Sequence, residues 1–197
     1  MKLSTNQVYA RLKTTDFSGF QKPGKNKGER GQLVVTALDV ANSSNLTDLS
    51  DGEIKSFTVG ESIAVTMLNH CLADIIDNSL EFEESKVGLK LAQTVYVGFS
   101  RDNEYMGVKV VNEELDPLHY QQLAEDYGYI SAQIKSAYAN CETLRTINGP
   151  NKVLQIRTKA GKDRYGNYKP LCYNGVELKD KHMAFYLTPS FGKEVLK

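Results

Sequence analysis

The sequence lacks the features of a membrane or secreted protein. None of its apolar runs approaches the ~18 residues that a membrane-spanning helix needs. Residues 1–7 contain no apolar core of a secretory signal. The three cysteines are odd in number and form no Cys-x-x-Cys pair. We therefore expect free thiols in a reducing cytoplasm and no zinc site.

The sequence also lacks a net charge, because 24 basic residues balance 24 acidic ones. Such a balance argues mildly against a nucleic-acid partner, but phosphate contacts need only a locally positive surface. Two windows are basic: residues 22–30 carry four basic side chains against Glu29, and residues 152–169 carry six against Asp163. They are either solvated loops or DNA-facing surfaces. Lys25 and Lys27 of the first window are candidate DNA-binding residues.

A length of 197 residues with 41% hydrophobic content fits one domain, with room for two lobes around a cleft. Turn residues and apolar periodicity predict a helical arm at 1–20, a loop at 21–31 and an undecided helix or strand at 32–40. Alternation predicts strands at 53–57, 62–68, 94–99, 106–111, 153–160 and 183–187. Asp116 and Pro117 predict the start of a long helix, whose buried stripe runs from Leu123 to Cys141.

The stretch from Asp48 to Lys55 carries the most informative pattern. On a strand, Glu53 and Lys55 point to one face and Ile54 points into the core. Asp48, which precedes the strand, is then placed to join Glu53 in holding a divalent metal through the oxygen ligands that Mg²⁺ prefers. Lys55 would lie beside the attacking water and the phosphate. This layout is that of a Mg²⁺-dependent nuclease site of the PD-(D/E)xK kind. The alternative is an ordinary Glu–Lys pair at a solvated strand start.

An acidic residue two positions before a lysine is not specific, since 24 acidic residues and 18 lysines among 197 produce about two such matches by chance. The chain contains three, which begin at Glu53, Glu84 and Glu177. Glu53 leads into apolar strands, whereas the tripeptide at Glu177 is followed by a highly charged turn. We therefore interpret 177–179 as a surface turn and Glu53 as the site.

Several segments occur in an order that resembles a known family. The Gly-rich segment 27–31 precedes an apolar run and the strand with Glu53 and Lys55. Residues 89–97 (LKLAQTVYV) follow, then the helix around 120–127 (YQQLAEDY), the strand 154–160 (LQIRTKA) and the segment 184–187 (AFYL) with Phe191. Together, over about residues 20–197, they resemble the MutH mismatch-repair endonuclease family, which includes restriction endonucleases that cut at GATC.

The resemblance implies an α/β (α+β) fold with a mixed sheet, built as a PD-(D/E)xK restriction-endonuclease-like core with two lobes flanking a DNA cleft. The lobe at about 1–110 would hold the metal site, and the lobe at about 111–197 the long helix and the DNA-reading strand. The family implies a sequence-specific deoxyribonuclease that depends on Mg²⁺, for which Mn²⁺ can substitute, and that leaves a 5′-phosphate. The implied roles are metal binding by Asp48, Glu53 and the Ile54 carbonyl, catalysis by Lys55 and Lys90, and DNA contact by Arg157, Lys159 and Tyr186.

Two departures from the family pattern leave alternatives open. The family's first aspartate lies seven residues before its glutamate, whereas Asp48 lies five before Glu53, so Asn45 and Asp51 are rivals for the metal position. Val35 stands where the family has a helix glutamate. An amide binds Mg²⁺ weakly, so Asn45 in that role would favour a catalytically inactive DNA-binding protein on the same fold.

The resemblance also implies the biological setting. We expect a cytoplasmic protein, encoded by a bacterium or a phage, that acts on double-stranded DNA and not at a membrane. A restriction enzyme would work as a homodimer, because a palindromic site matches two-fold symmetry. A mismatch-repair nickase would instead be activated by a partner ATPase. The sequence does not separate these two settings.

Overall fold

The computed structural model describes residues 2–19, 27–39 and 48–197. The described chain contains five α-helices: α1 (Thr5–Thr14), α2 (Lys27–Leu38), α3 (Lys86–Leu91), α4 (Pro117–Ala139) and α5 (Pro189–Glu194). Nine strands are present in the same residues: β1 (Glu53–Thr58), β2 (Ile63–Met67), β3 (Gln93–Phe99), β4 (Tyr105–Asn112), β5 (Ile147–Asn148), β6 (Leu154–Thr158), β7 (Leu171–Tyr173), β8 (Val176–Lys179) and β9 (Met183–Leu187). Short 3₁₀ turns occur at Phe17–Gly19 and Leu68–His70, and a π-helical turn at Ala73–Asp77. No helix of the described residues is both long and apolar enough to cross a membrane.

The chain divides into two compact units that alternate along the sequence. Unit 1 comprises Met1–Ile63, Leu89–Tyr120 and Pro189–Lys197, and unit 2 comprises Ala64–Gly88 and Gln121–Thr188. The sequence interpretation instead divides the chain once, near residue 110. The physical reason for the difference is that the strands of each sheet come from distant segments, a long-range pairing that local patterns do not encode.

Unit 1 is built on a mixed three-stranded sheet in the order β1-β3-β4. Strand β3 is parallel to β1 and antiparallel to β4. One face of β3 presents Val95, Val97 and Phe99, which pack in a core with apolar residues of α1 and α2. The opposite face presents Thr94 and Tyr96. The Tyr96 ring contacts Phe191 of α5 edge-on, with centroids 5.2 Å apart. The two faces of this sheet therefore pack against different helices: one forms the core covered by α1 and α2, and the other contacts α5.

The helices of unit 1 are set by local chemistry. Ser4 and Gln7 form a capping box, in which the Ser4 hydroxyl accepts the Gln7 N–H and the Gln7 side chain accepts the Ser4 N–H. Helix α2 corrects the prediction of a loop at 21–31, because residues from Lys27 onward are helical; residues 21–26 lie outside the described residues. At Gly31 an added Cβ would meet nothing closer than the Ser56 hydroxyl at 3.6 Å. The undecided run that follows is helical through Leu38.

Unit 2 contains a four-stranded sheet in the order β2-β9-β6-β5 and the separate pair β7-β8. Strand β6 is antiparallel to both β5 and β9. The α4 residues after Tyr120 bury Leu123, Tyr127, Ile130 and Ile134, and the Tyr127 ring lies 6.2 Å from that of Phe185. The mixed α/β class, with mixed and antiparallel sheets, is confirmed.

Two predictions in unit 2 were wrong. Helix α4 ends at Ala139, and Cys141 is exposed with φ 53°. The Glu142 N–H donates to Ala137 O and the Cys141 N–H to Tyr138 O, a Schellman ending that turns Cys141 away from the buried stripe. Residues 177–179 were predicted as a surface turn but form most of β8, which pairs with β7. Leu178, in its middle, is fully buried.

The start of β6 is held by a buried carboxylate. Asp126, on α4, is fully buried and accepts the backbone N–H groups of Asn151, Val153 and Leu154 at 2.7–2.8 Å. Three N–H donors stabilise an ionised carboxylate strongly. This contact fixes the strand that carries Arg157.

Candidate active site

The candidate site is built on the first three residues of β1. Glu53 pairs with Thr94 and Lys55 with Tyr96 in the parallel register, so these four side chains share one face of the sheet. Ile54 packs on the other face, against the helix-covered core. The predicted alternation of Glu53, Ile54 and Lys55 is confirmed.

Glu53 is the centre of the cluster. Its side chain is only 6% exposed, and its Oε1 lies 2.7 Å from Lys55 Nζ and 3.3 Å from Lys90 Nζ. Its Oε2 accepts the backbone N–H of Asp48 at 3.2 Å. A buried carboxylate requires such compensation, because removing a charge from water is costly. Two lysines and one amide supply it here.

Asp48 brings a second carboxylate to the same place. Burial raises the pKa of Asp48, and the charge of Glu53 raises it further. Lys55, a hydrogen bond from the Ile54 N–H and Lys90 oppose this shift, but the pKa stays above its ordinary value. Two carboxylates that disfavour each other's charge form a site that a cation would stabilise.

Lys90 reaches the cluster from α3, which leads into β3. The Thr94 hydroxyl donates to Lys90 O at 3.0 Å and so fixes the junction between α3 and β3. The parallel pairing of β3 with β1 then places the end of α3 beside Glu53. The lysine that the resemblance implies is therefore one of the two cations on Glu53.

The other residues proposed for the metal position fall elsewhere. Asp51 is engaged with the first turn of α1: its carboxylate accepts Thr5 N–H at 2.8 Å, the Thr5 hydroxyl at 3.1 Å and Gln93 Nε2 at 3.0 Å. Asn45 lies outside the described residues. Among the three rivals, Asp48 is the one that the described structure places at the cluster.

Gly52 makes the geometry of the site possible. A Cβ at this position would lie 2.2 Å from the backbone oxygen of Gln93 and 2.7 Å from Thr5 Cγ2. The backbone before Glu53 therefore approaches β3 more closely than any other residue type permits. This contact sets where β1 begins, and hence the position of Glu53.

Sequence reasoning missed Tyr96. It is fully buried on the site face, and its hydroxyl has no partner in hydrogen-bonding geometry among the described residues. Burial raises the pKa of Tyr96, and the charge of Glu53 raises it further. The only sequence signal was a tyrosine within an otherwise apolar strand.

Unit 2 carries the residues implied to contact DNA. The Arg157 guanidinium carbon lies 4.1 Å from the centroid of the Tyr186 ring, and Lys159 Nζ lies 5.8 Å from it. Tyr186 is 9% exposed, so its ring supports the cations more than it presents itself to solvent. Lys25 lies outside the described residues. Lys27 is the first residue of α2, and its side chain is likewise not described.

The donor set fits a hard divalent cation. No group of three or more His, Cys, Asp and Glu side chains with metal-binding geometry occurs among the described residues. Asp48 and Glu53 therefore offer two carboxylates, and Mg²⁺ is commonly held by one or two carboxylates together with water and substrate phosphate. With two lysines beside them, the arrangement is suited to a phosphate-bearing substrate.

Comparisons with known proteins neither extend nor restrict this picture. A scan of the sequence against protein-family models gives no match, and a search of curated proteins gives no significant match.

Proposed function

We propose that the protein is a Mg²⁺-dependent DNA endonuclease with a two-lobed PD-(D/E)xK core. The observation that carries the proposal is the convergence of Asp48, Glu53, Lys55 and Lys90 at the start of β1. The ammonium groups of Lys55 and of Lys90, which lies 37 residues after Glu53 in the chain, meet around one oxygen of Glu53, and the Asp48 N–H donates to the other oxygen. An ordinary surface Glu–Lys pair requires neither the burial of Glu53 nor the second lysine.

Each residue has a role that follows from its chemistry. Asp48 and Glu53, with the Ile54 carbonyl as the resemblance implies, would hold the cation against the scissile phosphate. A bound Mg²⁺ supplies an activated water and offsets the charge that develops on the phosphate. Lys55 would orient the water, and Lys90 would neutralise the phosphate. Both lysines rest on Glu53, so each is held within a few ångströms of where it would act.

The substrate that we propose is double-stranded DNA, with GATC as the site. Support comes from the resemblance in segment order and from the paired cations over Tyr186. Arginine and lysine read guanine edges in the major groove, so Arg157 and Lys159 are suited to specify bases. A homodimer would fit restriction, and a partner ATPase would fit mismatch repair.

The test is cleavage of unmethylated, hemimethylated and fully methylated GATC duplexes, with and without Mg²⁺ or Mn²⁺. We expect metal-dependent cutting by the wild-type protein. Glu53→Ala and Asp48→Asn should both abolish cutting. Asp48→Asn leaves Glu53 in place, so both lysines keep their carboxylate partner in that variant. Glu177→Ala, in the competing Glu-x-Lys of β8, should cut normally.

The outcomes separate the alternatives. One cut strand would indicate repair, and two would indicate restriction. Specific binding without cutting in either metal would support the catalytically inactive DNA-binding protein instead. Cutting that survives in both Asp48→Asn and Glu53→Ala would show that the site lies elsewhere.

A further inference from the structure

A short basic segment of unit 2, outside the candidate active site, is folded into a defined hairpin. We call residues 162–168 (KDRYGNY) the basic hairpin. Lys162 and Tyr168 form an antiparallel bridge, and the Asp163 N–H donates to Asn167 O at 2.8 Å. The turn closes at Gly166, whose φ is 86°. The segment is therefore a built turn and not an irregular loop.

The one acidic residue of the hairpin is used in holding its backbone. Asp163 Oδ1 accepts the N–H groups of Tyr165 at 2.8 Å and Asn167 at 2.9 Å. This is an Asx-type turn, which directs the carboxylate to the backbone of the hairpin. One oxygen of the only carboxylate in the hairpin is thereby bound by backbone N–H groups, beside the exposed basic side chains of Lys162 and Arg164.

Those basic side chains lie over aromatic rings. The Arg164 guanidinium carbon lies 4.7 Å from the centroid of the Tyr165 ring. Lys162 Nζ and Lys181 Nζ lie 5.5 Å and 4.4 Å from the Tyr168 ring. In the described part of the chain, none of these three cations has an acidic side chain within ion-pair distance. A cation over a ring keeps its N–H donors available, because the ring face accepts no conventional hydrogen bond.

The two rings are unusually exposed. Tyr165 is 72% exposed and Tyr168 is 42% exposed, whereas Tyr186 on the neighbouring sheet is nearly buried. A solvated loop explains the lysines but gives no reason to expose aromatic faces beside them. A partner with many negative charges and flat or apolar surfaces between them explains both, and nucleic acid has that chemistry.

The hairpin follows directly from the strand with the implied base-reading residues. Lys159, the residue after β6, donates its N–H to His182 O at 2.8 Å, and its ammonium lies near Tyr186. Lys181, which covers Tyr168, adjoins His182. Arg157, Lys159, Lys162 and Arg164 thus follow one another within eight residues of the chain.

We propose that the basic hairpin, together with Lys181, is a sequence-independent contact to the sugar–phosphate backbone of duplex DNA. Lys162 and Lys181 bind phosphates from their positions on Tyr168, and Tyr165 packs on the sugar edge at the tip. This inference rests on the proposed function in its choice of DNA. It adds a contact that supplies affinity, apart from the residues that cut or read the site.

The absence of tryptophan from the chain permits a direct test. Tyr165→Trp places a single indole at the tip of the hairpin, and Tyr129→Trp places one at a 47% exposed position on α4 as the matched control. On titration with a duplex lacking GATC, in Ca²⁺ to prevent cutting, we expect the fluorescence of Trp at 165 to change and that at 129 to stay constant. An equal response at 165 to polyglutamate of similar charge would overturn the assignment to DNA.

A second measurement tests the charges. Lys162→Ala combined with Lys181→Ala should weaken binding to all duplexes alike and lower the salt slope by about one per lysine. Lys13→Ala is the control, because Lys13 also lies over a tyrosine ring, at 4.6 Å from Tyr9, but on α1. Unchanged affinity and an unchanged salt slope in the double variant would refute the inference. They would not contradict the proposed DNA cleavage by the site around Glu53. A protein that binds no DNA would refute both proposals.

Discussion

Replacing Glu53 with glutamine removes one negative charge and leaves the shape of the side chain almost unchanged. The charge belongs to a side chain that is 6% exposed, with ammonium groups at 2.7 Å and 3.3 Å. At an effective dielectric constant of about 20, each of these pairs contributes roughly 5–6 kcal/mol of gross attraction. The desolvation of three charged groups offsets most of it.

The net loss of stability in Glu53→Gln depends on the interactions that remain for the two lysines. Lys55 and Lys90, 11% and 18% exposed, would keep their charges with only Asp48 beside them. Breaking one side of a buried pair typically costs about 3–5 kcal/mol. Because Asp48 and the glutamine oxygen still interact with the lysines, we expect the lower end, a loss of about 3 kcal/mol in the free energy of unfolding. For a chain of this size, that lowers Tm by roughly 6–12 °C.

Urea denaturation at neutral pH, without divalent metal, would measure the change. Glu177→Gln is the control, since Glu177 begins the same Glu-x-Lys tripeptide but is exposed on β8; it should unfold like the wild-type protein. If Glu53→Gln were neutral or stabilising, the ion pairs of Lys55 and Lys90 with Glu53 would contribute nothing to the stability of the fold. The ion-pair account of the site would then be wrong.

Two further predictions concern the entry to β1, and a third concerns α4. The folded state raises the pKa of Asp48 above its ordinary 3.8, so it binds the proton more tightly than the unfolded chain does. As pH rises from 3.8 through the folded pKa, the contribution of Asp48 to stability should therefore fall, while the affinity of the site for Mg²⁺ should rise. Asp48→Asn should show neither trend, and pH-dependent denaturation and Mg²⁺ titration would measure the two. Gly52→Ala should destabilise the fold by about 1–3 kcal/mol, because the added methyl would meet the Gln93 carbonyl, and should impair cleavage. Gly128→Ala, with open space around it in α4, should instead stabilise the fold by roughly 0.5–1 kcal/mol, and thermal melts of the two glycine variants would measure both changes.

The parts of the site that could be predicted from sequence are those set by local geometry. Strand alternation alone places Glu53 and Lys55 on one face and Ile54 on the other. The short turn from Asp48 keeps its carboxylate near, since only four residues intervene. The Asp-Pro signal likewise predicts the start of α4 correctly.

The rest depends on pairings between distant segments. The arrival of Lys90 follows from the parallel register of β1 and β3, which no local pattern encodes, and only the resemblance indicated it. Asp51 remained a rival to Asp48 because its partner, Thr5, lies 46 residues earlier, where no local pattern reveals it. The burial of Tyr96 on the site face likewise requires knowing that its strand lies beside β1 and under α5.

The alternation of the two units has a consequence for how the protein is made. Phe191 and its helix belong to unit 1, yet the ribosome synthesises them only after all of unit 2. The Tyr96 ring therefore lacks its contact with Phe191 until residues 121–188 have been synthesised. Glu53, Lys55 and Lys90, by contrast, are all synthesised before unit 2 is complete. A chain arrested before Pro189 would lack the ring that covers Tyr96, however well unit 2 had folded.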